Sequence, residues 1–151
     1  SVGARKERYF AEAVAEYEKR CLAYAKIVNI NLREETPGAG HAGDIDAALA
    51  RESIHILENL PPRAYKIALC VEGKSLTSEQ FASLCEKAKN ERGELCFVIG
   101  SSHGLDESVK AACDFRLSVS ALTFPHRLMR VILAEALYRA LSISAGGKYH
   151  K

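Results

Sequence analysis

Residues 97–126 read FVIGSSHGLDESVKAACDFRLSVSALTFPH, and the signals in this stretch decide the fold. The run at residues 97–99 is apolar and β-forming, and it stops at a glycine-containing loop, residues 100–104. A helix is expected to start near Asp106, before a second apolar and hydroxyl-rich segment at residues 117–126. That segment carries too little charge for a solvated loop, so we expect it to be buried. Its backbone N–H and C=O groups then need partners, and a bound ligand is one candidate.

Strand and helix signals alternate along the rest of the chain. Apolar positions three and four apart predict helices at residues 6–20 and 44–59, the second capped by Asp44, and an alternating apolar pattern predicts a strand at residues 26–32. The unbroken apolar run at residues 65–71 is typical of a strand in the middle of a parallel sheet. A turn is expected at residues 72–76, followed by a helix that Thr77 or Ser78 caps. The sequence therefore predicts an α/β fold with a mainly parallel sheet and helices on both faces.

The predicted order of elements also places a ligand site. Open α/β sheets bind ligands at the carboxyl ends of their strands. Residues 69–73, 99–104 and 117–124 all follow or end predicted strands, so they are expected to meet at that edge of the sheet.

The glycine loop at residues 100–104 admits three interpretations. In the first it is a plain strand-to-helix turn, because glycine serves any turn that needs positive φ. In the second, Gly-Ser-Ser-His-Gly is a nucleophile elbow, with Ser102 as the nucleophile and Asp114 and either His126 or His150 as its partners. In the third, the glycines let backbone N–H groups approach a cofactor, although the loop matches neither a dinucleotide fingerprint nor a P-loop.

The last helix is expected to begin at Pro125 and His126 and to end at Gly146. Its apolar stripe is wider than one sheet face needs, so the helix suits packing on both the sheet and a second subunit. The stripe comprises Leu128, Met129, Ile132, Leu133, Ala136, Leu137, Ala140 and Leu141. The tail at residues 148–151 carries an aromatic ring, an imidazole and two cations, and on its own it is typical of a frayed terminus.

The composition is that of a soluble, cytosolic domain. The chain has 151 residues, 48% hydrophobic and 26% charged, which predicts one core and a single domain at residues 1–151. A net charge of +2 excludes polyanion binding through bulk charge. Five scattered cysteines without a C-x-x-C pair indicate reduced thiols and no metal site. No apolar run approaches the ~20 residues of a membrane span, and the start at Ser1 predicts that part of a first strand is missing.

Taken together, these segments resemble the ribosomal large-subunit pseudouridine methyltransferase H family of the SPOUT superfamily. The resemblance extends over essentially the whole chain, and the family usually has Gly-Gly where this chain has Gly100 and Ser101. The segments that carry it are residues 97–105, residues 117–126, Arg130, Glu135, Tyr-Arg-Ala at 138–140 and the closing Tyr-His-Lys at 149–151.

This resemblance implies a particular topology and a cofactor. The C-terminal part of the α/β domain would be threaded into a deep trefoil knot, a rare exception to unknotted topology. The knot loops would hold S-adenosylmethionine in a bent form, mostly through backbone groups. The residues implied in this pocket are Leu69, Gly100, Val119, Ser120, Ala121, Leu122, Thr123 and Phe124.

The resemblance also implies a substrate and a partner. The protein would be a homodimer packed through its last helix, and it would methylate N3 of a pseudouridine in large-subunit (23S) rRNA. It would act on assembled ribosomes in the cytoplasm, with neither a membrane nor a metal as partner. His126 and Arg130 would place the base, and Arg139 would contact a phosphate or the second subunit. Tyr149 and His150 would form the substrate side of the pocket.

Two alternatives of other classes stay open. The first is a ribosome-binding or assembly module that has the fold but transfers no methyl group, and binding of S-adenosylmethionine separates it from the enzyme. The second is a serine hydrolase that uses Ser102, and labelling of that serine by a fluorophosphonate probe would identify it.

Overall fold

The structure is a computed structural model that describes residues 8–35, 42–147 and 149. None of its helices is both long enough and apolar enough to span a membrane. In chain order, the elements are α1 (Arg8–Cys21), α2 (Ala42–Asn59), β1 (Tyr65–Ser75), α3 (Ser78–Arg92), β2 (Leu95–Val98), α4 (Glu107–Ala111), β3 (Phe115–Ser118) and α5 (His126–Ser144).

The three strands form a parallel sheet in the order β2-β1-β3. Ala68 of β1 aligns with Val98 of β2, and Leu69 of β1 aligns with Leu117 of β3. β1 lies between the other two strands, which confirms the prediction made from its unbroken apolar run. A central strand of a parallel sheet is covered by helices on both faces.

Helices cover both faces of this sheet, as the alternating elements predict. Successive side chains of β1 point to opposite faces, so Ile67 and Leu69 lie in one core and Ala68 lies in another. The first core is completed by α3 and α5, through the buried residues Phe81, Ala82, Cys85 and Ala140. The second is completed by α2 and α4, through the buried residues Ile56 and Val109.

Short-range signals set the starts of α3 and α4. Thr77 and Gln80 form a capping box, in which each side chain accepts a hydrogen bond from the backbone of the other, at 3.2 and 3.0 Å. Asp106 caps α4 through its carboxylate, which accepts from a first-turn amide at 2.8 Å. Asp44 was expected to cap α2, but the helix begins two residues earlier, so Asp44 lies in its first turn. A carboxylate there still interacts favourably with the helix dipole.

The prediction of a strand at residues 26–32 is wrong for residues 26–31, to which the structure assigns no strand, whereas Leu32 forms a β-bridge. Residues 26–30 line a groove of about 970 Å³ together with β2. Val28 is 70% exposed and Ile30 is 42% exposed. The described sheet ends at β2 on this side, so this segment belongs to none of its described ladders. The alternation of apolar residues was real, but it was not sufficient to place this segment in the described sheet.

β1 continues through the expected turn and ends at Ser75. Its pairing with β3 changes register between Leu69 and Lys74, since both of these residues align with Leu117. The intervening residues bulge out of the ladder. A Cβ atom at Gly73 would lie 2.6 Å from the carbonyl carbon of Leu117, closer than real Cβ contacts. Glycine therefore lets the bulged part of β1 pass close to the backbone of β3.

The five cysteines are free thiols. Burial raises the pKa of Cys85 to about 12, and it raises the pKa values of Cys21 and Cys113 to about 11. These thiols stay neutral at physiological pH and act as small apolar side chains. Among the described residues, no three His, Cys, Asp or Glu side chains gather as they would around a metal ion.

Candidate active site

The carboxyl ends of the three parallel strands bring the predicted pocket segments to one edge of the sheet. Leu69, only 9% exposed, lies in β1 beside Leu117 of β3. Gly100 follows the end of β2 by two residues, and residues 119–124 follow the end of β3 directly. The three segments implied in cofactor binding therefore share this edge, which we call the rim.

The glycine loop forms a tight turn at the rim. The Gly104 amide donates to the Ser101 carbonyl at 3.1 Å, and Gly104 has a φ of +88°, in the region that favours glycine. Gly100 is buried against this turn, because a Cβ atom there would lie 2.0 Å from the Gly104 carbonyl oxygen. Both glycines are thus needed to close the loop on itself, whether or not a ligand is bound.

The geometry does not support a nucleophile elbow. An elbow requires the helix to begin at the nucleophile, whereas α4 begins only at Glu107 and the Ser102 hydroxyl donates to Glu34 Oε1 at 3.0 Å. Asp114 lies at the amino ends of the strands, where its carboxylate accepts from the Lys66 amide at 2.8 Å. Ser102 and Asp114 therefore lie at opposite edges of the sheet. His150, the other proposed partner, lies outside the described residues.

The segment at residues 117–126 is buried only at its start, so the prediction of a buried segment is wrong beyond Ser118. Leu117 and Ser118 are buried, but Val119 is 38% exposed and Leu122 is 70% exposed. Serine hydroxyls bond to backbone groups of this segment, for which a bound ligand was the expected candidate partner. Ser118 Oγ donates to the Ser120 carbonyl at 3.1 Å, and the Leu122 amide donates to Ser120 Oγ at 3.0 Å.

This loop has surfaces that fit an adenosyl group. Val119 and Leu122 expose apolar side chains immediately after β3, the kind of surface against which an adenine ring stacks. Residues 121–123 are all exposed, whereas Ser120 and Phe124 are half-buried.

His126 is the first residue of α5 and lies close to the glycine loop. Its Nε2 atom is buried and makes no hydrogen bond to any residue that the structure describes. It interacts electrostatically with Glu34, whose carboxylate accepts hydrogen bonds from Ser102 of the loop. Arg130, one turn further along α5, lines the groove beside β2.

Glu34 has no motif around it, and its contact with Ser102 spans 68 positions, so no local pattern predicted it.

A second cluster lies near the C-terminal half of α5. Tyr149 donates its hydroxyl to Glu135 Oε1 at 3.3 Å, and Arg139 donates to the same carboxylate oxygen. The Arg139 guanidinium lies 5.1 Å from the centre of the Tyr149 ring, and the Tyr138 ring meets that ring edge-on at 4.6 Å. Tyr149 is therefore docked on α5, and the expectation of a frayed tail is wrong for this residue. His150 and Lys151 lie outside the described residues.

Within one chain, the cluster around Tyr149 does not meet the residues around His126. Arg139 follows His126 by thirteen positions on the same helix. A rise of about 1.5 Å per residue separates them by about 20 Å along the helix axis. The structure thus places His126 at the rim and places Arg139 with Tyr149 more than three turns away.

Comparisons with known proteins agree with this architecture. A family model described as "Predicted SPOUT methyltransferase" matches residues 1–150. A Bacillus pumilus protein named "Ribosomal RNA large subunit methyltransferase H" is 43% identical over 153 residues, covering 100% of this chain and 96% of the relative. Proteins of the same name from Caldicellulosiruptor bescii and Streptococcus thermophilus are 41% and 43% identical, with 97% and 96% of their lengths covered. The chain therefore belongs to the SPOUT methyltransferases, in the family of the ribosomal RNA large subunit methyltransferase H proteins.

Proposed function

We propose that this protein transfers a methyl group from S-adenosylmethionine to N3 of a pseudouridine in large-subunit rRNA, on assembled ribosomes in the cytoplasm. The observation that carries the proposal is the match, over the full chain, to relatives named for methylation of this RNA. The gathering of the glycine loop and residues 119–124 at one rim supports it. We further propose that the chain acts as a single domain whose C-terminal part is threaded through a trefoil knot.

The residues at the rim would hold the cofactor. Val119 and Leu122 would offer apolar contacts to the adenine, and the buried side chain of Leu69 would contribute to the same pocket. The tight turn that starts at Gly100 would bound the pocket from the side of β2. S-adenosylmethionine supplies an electrophilic methyl group on a sulfonium, so no nucleophilic residue of the protein is required.

The protein itself must position the target pseudouridine and assist the loss of one proton from its imide nitrogen. Displacement at a methyl carbon needs the attacking nitrogen in line with the bond that breaks, so orientation supplies much of the rate. The imide nitrogen attacks well only once its proton leaves, which a nearby base or cation assists. We assign His126 and Arg130 to positioning the pseudouridine base of the RNA, because they lie one turn apart at the rim end of α5.

The second cluster completes the assignment. Tyr149 and His150 would contact the target nucleotide, and Arg139 would contact a phosphate or the second subunit. Tyr149 contacts Arg139, which lies about 20 Å along α5 from His126 in one chain. A site that uses both Tyr149 and His126 is therefore most simply formed between two subunits. The proposed homodimer thus explains how the two clusters serve one reaction.

Methyl transfer itself tests the proposal. The protein is incubated with tritium-labelled S-adenosylmethionine and either intact ribosomes or naked rRNA, both lacking the modification. We expect the label in the rRNA of the intact ribosomes and little in naked rRNA. Isothermal titration with unlabelled cofactor is the control. A protein that shows neither heat of cofactor binding nor methyl transfer would instead be a ribosome-binding or assembly module.

The homodimer gives a separate prediction. Leu128 and Ile132 are half-buried on α5 and belong to neither core, so they are available to a second copy of the helix. Light scattering should report about twice the chain mass of 16.5 kDa at micromolar concentration. A strict monomer at that concentration would exclude a site shared between subunits.

A further inference from the structure

Glu34 holds the tip of the glycine loop from outside the loop. Its Oε1 atom accepts two hydrogen bonds from Ser102, one from the backbone amide at 3.3 Å and one from the hydroxyl at 3.0 Å. Ser102 Oγ in turn lies 3.3 Å from His103 Nδ1. Ser102 and His103 are exposed, so these contacts hold a part of the loop that core packing does not.

The neighbouring residue fixes Glu34 to the body of the protein. The Glu35 amide donates to Glu52 Oε1 at 2.9 Å, and Glu52 is a buried residue of α2, only 3% exposed. The Glu35 side chain also accepts from Arg51 Nε at 3.3 Å. Glu34 and Glu35 thus connect the glycine loop to α2. Glu34 binds the loop through its carboxylate, and Glu35 binds α2 through its amide.

The carboxylate of Glu34 is charged at neutral pH. Burial alone would raise the pKa of Glu34, but the hydrogen bonds from Ser102 and the electrostatic interactions with His126 and His103 outweigh it and lower the pKa. Hydrogen bonds to an ionised acceptor are stronger than those to a neutral one. The two bonds from Ser102 to Glu34 are therefore of the stronger kind.

We propose that Glu34 is a positioning residue that holds the glycine loop, through its two hydrogen bonds with Ser102, in the form that binds S-adenosylmethionine. The inference rests on the proposed function, and it adds a residue outside the rim segments to the cofactor site. Glu34 acts through Ser102 and does not itself touch the cofactor. The loop closes its own turn through Ser101 and Gly104, and Glu34 sets where that turn lies.

Three variants test this role by isothermal titration with S-adenosylmethionine. Glu34→Ala removes the oxygen that accepts both hydrogen bonds and should weaken cofactor affinity about tenfold. Glu34→Gln keeps an amide oxygen that can accept both bonds, so it should retain most of the wild-type affinity. Glu35→Ala is the matched control, because it removes the adjacent carboxylate, keeps the amide bond to Glu52 and loses only an exposed ion pair with Arg51.

Steady-state kinetics on ribosomes provide the second measurement. In Glu34→Ala, KM for S-adenosylmethionine should rise about tenfold, while KM for the ribosome stays within about twofold of wild type. Ser102→Ala, which loses the hydroxyl donor and keeps the amide donor, should lie between wild type and Glu34→Ala. It serves in place of Glu34→Ala if that variant does not fold.

The outcomes separate this inference from the proposed function. Wild-type affinity in both Glu34→Ala and Ser102→Ala, with the wild-type protein binding cofactor, would overturn the positioning role and leave the methyltransferase proposal intact. Equal losses in Glu34→Ala and Glu35→Ala would also overturn it, since a general disturbance of the segment would then be the cause. Absence of cofactor binding in the wild-type protein would instead remove the proposed function.

Discussion

Deletion of residues 149–151 should lower methyl transfer to ribosomes at least about a hundredfold, the loss expected when positioning or acid–base groups are removed. The structure docks Tyr149 on α5 through Glu135, Arg139 and Tyr138. This docking holds the start of the tail in a defined place, as a contact with a target nucleotide requires. The adenosyl pocket is formed by residues further upstream, so affinity for S-adenosylmethionine should change little.

The docking also sets what the deletion costs in stability. The ring contact with Tyr138 and the cation–π contact with Arg139 together contribute about 1 kcal/mol at a partly exposed site. For a chain of this size, that loss lowers the melting temperature by about 2–4 °C. The dimer should persist, since α5 remains whole.

Tyr149→Phe is the matched control for the deletion. It keeps the ring contacts with Tyr138 and Arg139 and loses the hydroxyl's interactions with Glu135 and Tyr17. Its melting temperature should stay close to that of the wild type, so any loss of transfer reports on the hydroxyl. The catalytic role of the tail would be abandoned if the deletion variant methylated ribosomes at close to the full-length rate.

Gly100→Ala should reduce the affinity for S-adenosylmethionine by about ten- to a hundredfold, because even one methyl group does not fit the closed loop. Its Cβ atom would lie 2.0 Å from the Gly104 carbonyl oxygen and 3.1 Å from the Leu105 side chain. The first neighbour is backbone and cannot rotate away, so the turn must open. Overpacking of this kind costs about 1–3 kcal/mol, and the displaced turn would occupy the space that the cofactor needs.

Gly43→Ala is the control for that variant. Apart from its chain neighbours and the backbone of its own helix, no atom of the described residues lies within 4 Å of the Cβ position at Gly43, which is exposed in α2. Alanine there should raise stability slightly, by less than about 1 kcal/mol, because glycine is a poor helix former. Titration calorimetry and thermal melts of both variants check the contrast. Wild-type cofactor affinity in Gly100→Ala would show that the pocket lies elsewhere.

The sequence by itself determined the parts of the fold that depend on neighbouring residues. The apolar run at residues 65–71 predicted a central strand, because a strand covered on both faces leaves no place for polar side chains. Thr77 and Asp106 predicted the starts of α3 and α4, because a cap binds amides within three residues of itself. The expected meeting of three segments at one rim followed from parallel order alone.

Only the tertiary structure decided the features that depend on distant residues. An alternating pattern at residues 26–32 could not show whether a partner strand lies beside it. The exposure of Val119 and Leu122 depends on serine hydroxyls that take over backbone bonding within a folded turn. The contact of Glu34 with Ser102 spans 68 positions. Helix and strand periods arise from neighbours within a few positions, whereas such contacts exist only once the chain has folded.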